Sequence, residues 1–184
     1  MTPGEVLVRI VSALQTCNIP YMLTGSLASS IYGSPRATMD IDIVIAPSRS
    51  QLKSLKAALP EKDYYFDLDD ALQAFMHGGQ FNVIDLSNMW KIDLIFRKGR
   101  DYDRTAFERR MSIEHEGKTL FVSAAEDSIV SKLEWAKLGE SETQLRDVAG
   151  ILRVRLQSLD FAYVEKWVAE LELQPQWDAA RRLV

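Results

Sequence analysis

Apolar positions recur at helical spacing through Val6, Ile10 and Leu14, with Leu7 and Val11 beside them, and predict an amphipathic helix over 4–16. Ile19-Pro20 leads into a short strand, Tyr21-Met22-Leu23-Thr24, stopped by Gly25. Residues 26–32 then read as a helix closed by Gly33-Ser34-Pro35. The clearest strand is 38–45, where Asp40 and Asp42 alternate with Ile41, Ile43 and Ile45. Ser48 and Gln51 have capping-box spacing and open a helix running to about Leu59. Leu68, Ala71, Leu72 and Phe75 share a helical face between Asp67 and His77, and Gly78-Gly79 ends that element. A hairpin-like pair follows, 80–85 and 89–97, with Trp90, Ile92, Leu94 and Phe96 on one side of its second strand. A helix over 103–111 and two short strands around Ile113 and Leu120 complete the first part. From Ser123 the pattern is helical throughout: 124–138, 142–155, 160–171 and 175–183, with Ser123/Glu126 and Ser141/Gln144 spaced as capping boxes.

Strands in hairpins and strands separated by helices together imply an α+β fold with a small mixed sheet flanked by helices. The expected organisation is a core over 1–122 and a C-terminal helical region over 123–184 packed on it. At 184 residues, 47% hydrophobic and 26% charged, the chain has the composition of a soluble globular domain. Its longest apolar runs are strand-sized, far below the roughly 20 residues of a membrane span. The start, Met1-Thr2-Pro3-Gly4-Glu5, lacks the basic opening of a signal peptide, so a cytoplasmic location is expected. Cys17 is the sole cysteine, which excludes an internal disulfide and a thiolate zinc site. A net charge of −4 supplies no global attraction to nucleic acid or anionic lipid, and neither DNA nor membrane is expected as a partner.

Asp40 and Asp42 lie two apart in a strand, so both carboxylates project from one face while the isoleucines fill the other. Two like charges this close need a neutralising cation, and carboxylate oxygens suit magnesium, with manganese as a substitute. Asp93, in Lys91-Ile92-Asp93-Leu94-Ile95, faces away from the apolar side of its own strand and supplies a third carboxylate. If the two strands are neighbours, the set can hold metal at a phosphoryl-transfer site, with Asp93 also the base. Upstream, Gly25-Ser26 stands where a strand turns into a helix, and free N–H groups there can hold the phosphates of a nucleoside triphosphate.

This ordered set resembles the DNA polymerase β-like nucleotidyltransferase superfamily: Gly-Ser, a helix, Asp-x-Asp, then a separate third carboxylate. Thr24-Gly25-Ser26-Leu27-Ala28 with Tyr32-Gly33-Ser34-Pro35-Arg36-Ala37-Thr38-Met39-Asp40-Ile41-Asp42 is similar to standalone bacterial and archaeal nucleotidyltransferase-like proteins. These include abortive-infection toxins of the AbiEii type, which belong to toxin–antitoxin systems. The resemblance implies that Gly25 and Ser26 contact the triphosphate, that Asp40 and Asp42 hold magnesium and that Asp93 completes the site. It further implies that Lys132 contacts phosphate and that Asp147 orients it. Arg36 and Thr38, read from the residues themselves, either shape the approach to Asp40 or cap a turn after Pro35, and a supporting role is expected. The resemblance covers most of residues 20–152.

The expected activity is transfer of a nucleoside monophosphate to a hydroxyl, with pyrophosphate released. The acceptor is RNA, especially tRNA, or a protein in a toxin setting, where an antitoxin protein would be a partner. The alternatives are a small-molecule acceptor, as in aminoglycoside nucleotidyltransferases, and a non-catalytic nucleotide-binding module. Arg97, Lys98, Arg100, Arg104, Arg109 and Arg110 could steer RNA phosphates, but Asp101, Asp103 and Glu108 dilute them. Trp135, Trp167 and Trp177 fall on apolar helical faces and are expected in the core, and neither His77 nor His115 has a partner at metal-ligand spacing.

Overall fold

The computed structural model describes residues 3–33, 38, 40–139 and 141–184. Its elements are α1 (Pro3–Thr16), β1 (Tyr21–Thr24), α2 (Gly25–Tyr32), β2 (Asp40–Ile45), α3 (Arg49–Ala58), β3 (Tyr64–Phe66), α4 (Leu68–His77), β4 (Gln80–Asp85), β5 (Trp90–Phe96), α5 (Asp101–Glu108), β6 (Met111–His115), β7 (Lys118–Val122), α6 (Ala125–Gly139), α7 (Glu142–Arg155), α8 (Phe161–Glu170) and α9 (Gln174–Arg181). Contacts divide the chain into two compact units, one of Met1–Thr24 with Thr38–Val122 and one of Gly25–Ala37 with Ser123–Val184.

The first unit is built on a mixed sheet of seven strands in the order β3-β4-β5-β2-β1-β7-β6. β2 and β5 are parallel neighbours at its centre, and β1 pairs antiparallel to the other edge of β2. Strict alternation sends Ile41, Ile43, Ile45, Ile92, Leu94 and Val83 to one face, where all are fully buried. Helices cover that face. Arg9 of α1 forms an ion pair with Asp85 and lies over the Tyr64 ring. Phe75 of α4 meets Phe96 edge-on at 5.6 Å, and Lys56 of α3 donates to the Phe66 carbonyl at 2.7 Å. The capping box that opens α3 forms as predicted: Gln51 N–H donates to Ser48 Oγ while Gln51 Oε1 accepts from Ser48 N–H.

The β4–β5 hairpin sets the register of Asp93. Asp85, fully buried, accepts through Oδ1 from the backbone N–H of Ser87 at 3.0 Å and from its hydroxyl at 2.5 Å, which pins the turn. Met89 leaves the turn with φ +57°, and Trp90 then pairs with Asp85.

The second unit is helical. Ile129, Val130, Leu133, Val148, Ile151, Val164, Val168 and Trp177 form its core. Gly33, just past α2, lies so close to α7 that a Cβ there would stand 2.9 Å from the Ile151 backbone nitrogen.

Several expectations need correction. β3 was not predicted, because three residues carry too little alternation to register. The Ser141/Gln144 box does not form: Ser141 makes no side-chain cap bond, and Gln144 Oε1 accepts instead from Lys132. Trp135 is 51% exposed rather than in the core, because α6 buries the side bearing Ile129, Lys132, Leu133 and Ala136, while Trp167 and Trp177 are buried as expected.

Candidate active site

The parallel register of β2 and β5 puts Asp42 opposite Asp93 and Asp40 opposite Lys91. On the outer flanks Thr24 of β1 pairs with Asp42, and Asn82 of β4 pairs with Asp93. Thr24, Asp42, Asp93 and Asn82 therefore form one row across four strands, on the face opposite the isoleucines. Asp40 is exposed, Asp42 half-buried and Asp93 only 8% exposed. Two carboxylates on adjacent strands, about 5 Å apart, repel by roughly 3 kcal/mol in a surface environment.

A cation already stands among them. Lys91, two residues before Asp93 and on the same face, donates from Nζ to Asp93 Oδ2 at 2.9 Å. That hydrogen bond raises the lysine above its ordinary value, against a lowering from burial, and the charges of Asp93, Asp40 and Asp42 push it further up. The other carboxylate oxygen, Asp93 Oδ1, is buried and has no hydrogen-bond partner among the described residues. No group of three His, Cys, Asp or Glu side chains among the described residues is gathered closely enough to hold a metal ion.

The chain passes from Thr24 directly into Gly25, whose φ of +67° belongs to the left-handed region that a Cβ disfavours. This is the backbone device that turns β1 into α2. Ser26 is buried, and its carbonyl accepts from the hydroxyls of Ser29 at 3.1 Å and Ser30 at 2.7 Å. Thr38 engages the backbone of Asp40, accepting from its N–H at 3.3 Å. Arg36 lies outside the described residues.

In the helical unit Lys132 and Asp147 come together. Lys132, 3% exposed, donates to Asp147 Oδ2 at 2.7 Å and to Gln144 Oε1 at 3.1 Å. Nearby on α6, buried Asp127 accepts from the Tyr163 hydroxyl at 2.6 Å. The basic run after β5 is occupied locally. Arg100 pairs with Asp103, Arg104 with Asp101, and Arg110 lies 4.5 Å from the Phe107 ring.

Sequence reasoning named Asp40, Asp42 and Asp93 but passed over Lys91, Thr24 and Asn82. For Lys91 the signal was present, since it shares the parity of Asp93 within one strand. Thr24 and Asn82 become neighbours only through cross-strand register.

The chain resembles solved structures along most of its length. Against ANT(2'')-Ia in complex with adenylyl-2''-tobramycin the TM-score is 0.60 at 15% identity, covering 96% of this chain and 99% of that one. Against the lincosamide antibiotic adenylyltransferase LnuA, lincomycin-bound, it is 0.54 at 12% identity, covering 84% and 98%. A candidate nucleotidyltransferase of Thermotoga maritima gives 0.52 at 15% identity, covering 78% and 92%. The fold is that of the nucleotidyltransferases. No family model matches the sequence, and no curated protein matches it. Among the described residues no helix of this nucleotidyltransferase-fold chain is long and apolar enough to cross a membrane.

Proposed function

We propose that the chain is a metal-dependent nucleotidyltransferase that moves a nucleoside monophosphate from a nucleoside triphosphate to a hydroxyl acceptor. The observation that carries this reading is the side-by-side register of Asp42 and Asp93, with one buried Asp93 oxygen unpartnered among the described residues. A buried carboxylate oxygen without a partner is costly and fits a group that binds there in the working complex. Asp40, Asp42 and Asp93 offer only hard oxygen donors, which fit magnesium or manganese. A divalent cation supplies positive charge that offsets the negative charge on the phosphates and lowers the barrier to attack at phosphorus.

The remaining work falls to the chain. Gly25 opens the approach for the triphosphate, and the first N–H groups of α2 with Ser26 bind its oxygens. Lys132, oriented by Asp147, is the further phosphate contact that the family likeness suggests. The acceptor oxygen forms a bond to the α-phosphorus and the bond to the β,γ-pyrophosphate breaks. The hydroxyl proton passes to Asp93, whose Oδ1 accepts no hydrogen bond from the described residues. Thr38 steadies the backbone of Asp40.

Two observations favour a small hydroxyl-bearing acceptor over RNA or protein. The likeness to two antibiotic-modifying structures spans nearly the whole of both. The arginines Arg100 and Arg104 of the basic run, the candidates for tracking an RNA backbone, are paired to neighbouring carboxylates. A cytoplasmic setting, where nucleoside triphosphates and magnesium are abundant, completes the proposal.

The test is incubation with magnesium and each α-labelled nucleoside triphosphate, using an aminoglycoside, a lincosamide, bulk tRNA and a protein lysate as acceptors. Label on a small molecule is expected, and its loss in Asp42→Asn ties it to the site. Label on tRNA or protein would replace the small acceptor with the toxin-type reading. An absence of both label and pyrophosphate with every acceptor would refute the transferase.

A further inference from the structure

Lys91 is an ammonium placed where the charge of a divalent ion would be needed. It shares the face of Asp93 by strand alternation, stands opposite Asp40 by register, and occupies Asp93 Oδ2 at 2.9 Å. Its side chain is 43% exposed, so the ammonium has a path into solvent once the bond to that carboxylate is given up. The two Asp93 oxygens are thus in different states: Oδ2 carries the lysine, and Oδ1 is buried without a hydrogen-bond partner among the described residues. A divalent ion drawing Asp40, Asp42 and Asp93 together would bring its charge against the ammonium in the same small volume, and like charges there repel.

We propose that Lys91 is a tethered counter-cation that competes with the divalent ion for Asp93, so that ion binding and release of the lysine are one event. This rests on the reading of Asp40, Asp42 and Asp93 as the ion-holding set. The lysine neutralises the acid face when no ion is there, and it sets the affinity of the site by the strength of the bond that must be given up. A hydrogen bond between charged groups sets that scale at roughly ten- to a hundredfold in affinity. Lys91 is a positioning residue in this scheme, acting through Asp93.

The full-length chain would be titrated with manganese(II) alone, with bound ion followed by calorimetry and by electron paramagnetic resonance. Lys91→Met should bind manganese about tenfold or more tightly than the unaltered chain, and Lys91→Arg, which keeps the charge, should stay near the unaltered affinity. The unaltered chain gives an independent readout. Its Lys91 ammonium signal, assigned by its absence in Lys91→Arg, should shift on titration with diamagnetic magnesium. Lys91→Met with unchanged or weaker manganese binding, or a Lys91 signal unmoved at saturating magnesium, would overturn the proposal. Asp93→Asn separates the two levels. If it loses manganese while Lys91→Met changes nothing, the lysine inference alone fails. If it binds as tightly as the unaltered chain, the carboxylate reading fails and the lysine inference with it.

Discussion

Replacing Asp147 by Asn should destabilise the helical unit more than its position near a helix surface suggests. The Lys132 side chain is 4% exposed and that of Asp147 12%, with Nζ and Oδ2 2.7 Å apart. Removing one charge of a buried pair leaves the other in low dielectric with weaker compensation, which costs about 3–5 kcal/mol. Removing both charges while keeping the volume is nearly neutral. Lys132→Met with Asp147→Leu should therefore recover most of the loss, and the coupling between the two sites should exceed about 1.5 kcal/mol. Equilibrium urea unfolding followed by tryptophan fluorescence is suited to this, because Trp135, Trp167 and Trp177 all lie in the helical unit and only Trp90 lies in the sheet. A cost below about 1 kcal/mol for Asp147→Asn would class the pair with surface ion pairs and refute the reasoning. The same variants speak to function. Lys132→Met in the double variant, folded but without the ammonium, should raise the KM for the nucleoside triphosphate if Lys132 is a phosphate ligand.

Two further outcomes follow from the packing. Asp85→Ala removes the acceptor that pins the β4–β5 turn and the partner of Arg9, and should lower stability by about 2–4 kcal/mol in chemical denaturation, whereas a loss within 0.5 kcal/mol, roughly that of a surface substitution, would contradict the role given to the turn. The phenols of Tyr21, Tyr32 and Tyr64 are raised above the tyrosine value of 10.0, in each case first by burial. The stability of their neutral forms is whole below pH 10.0 and is lost as pH rises through the folded values, so denaturation midpoints should fall as pH is raised above 10.0, and Tyr64→Phe should lessen that fall.

Much of this site was legible because β alternation is a strict code. The spacing of Asp40 and Asp42 against three isoleucines fixes their shared face, and the same rule orients Asp93 before any strand is paired. The parallel pairing of β2 with β5 is not written locally; it depends on which strands the helices bring together, and it is what sets Asp42 beside Asp93 and Asp40 beside Lys91 on one face. Lys91 illustrates a second limit. Alternation puts it on the acid face, yet whether its long side chain turns to Asp93 or to water is decided by the field of three carboxylates, visible only once the register is known. Gln144 fits a capping box by spacing, but the need of a buried ammonium for an acceptor outweighed an exposed helix start.

Magnesium-dependent release of pyrophosphate, compared between the unaltered chain and Asp42→Asn and Asp93→Asn variants shown to be folded, tests the carboxylate row most directly. Each substitution should cut the rate at least about a hundredfold, the scale for removing a group that stabilises charge in the transition state. Release that persists unchanged in both variants would place the chemistry elsewhere in the molecule and contradict the account.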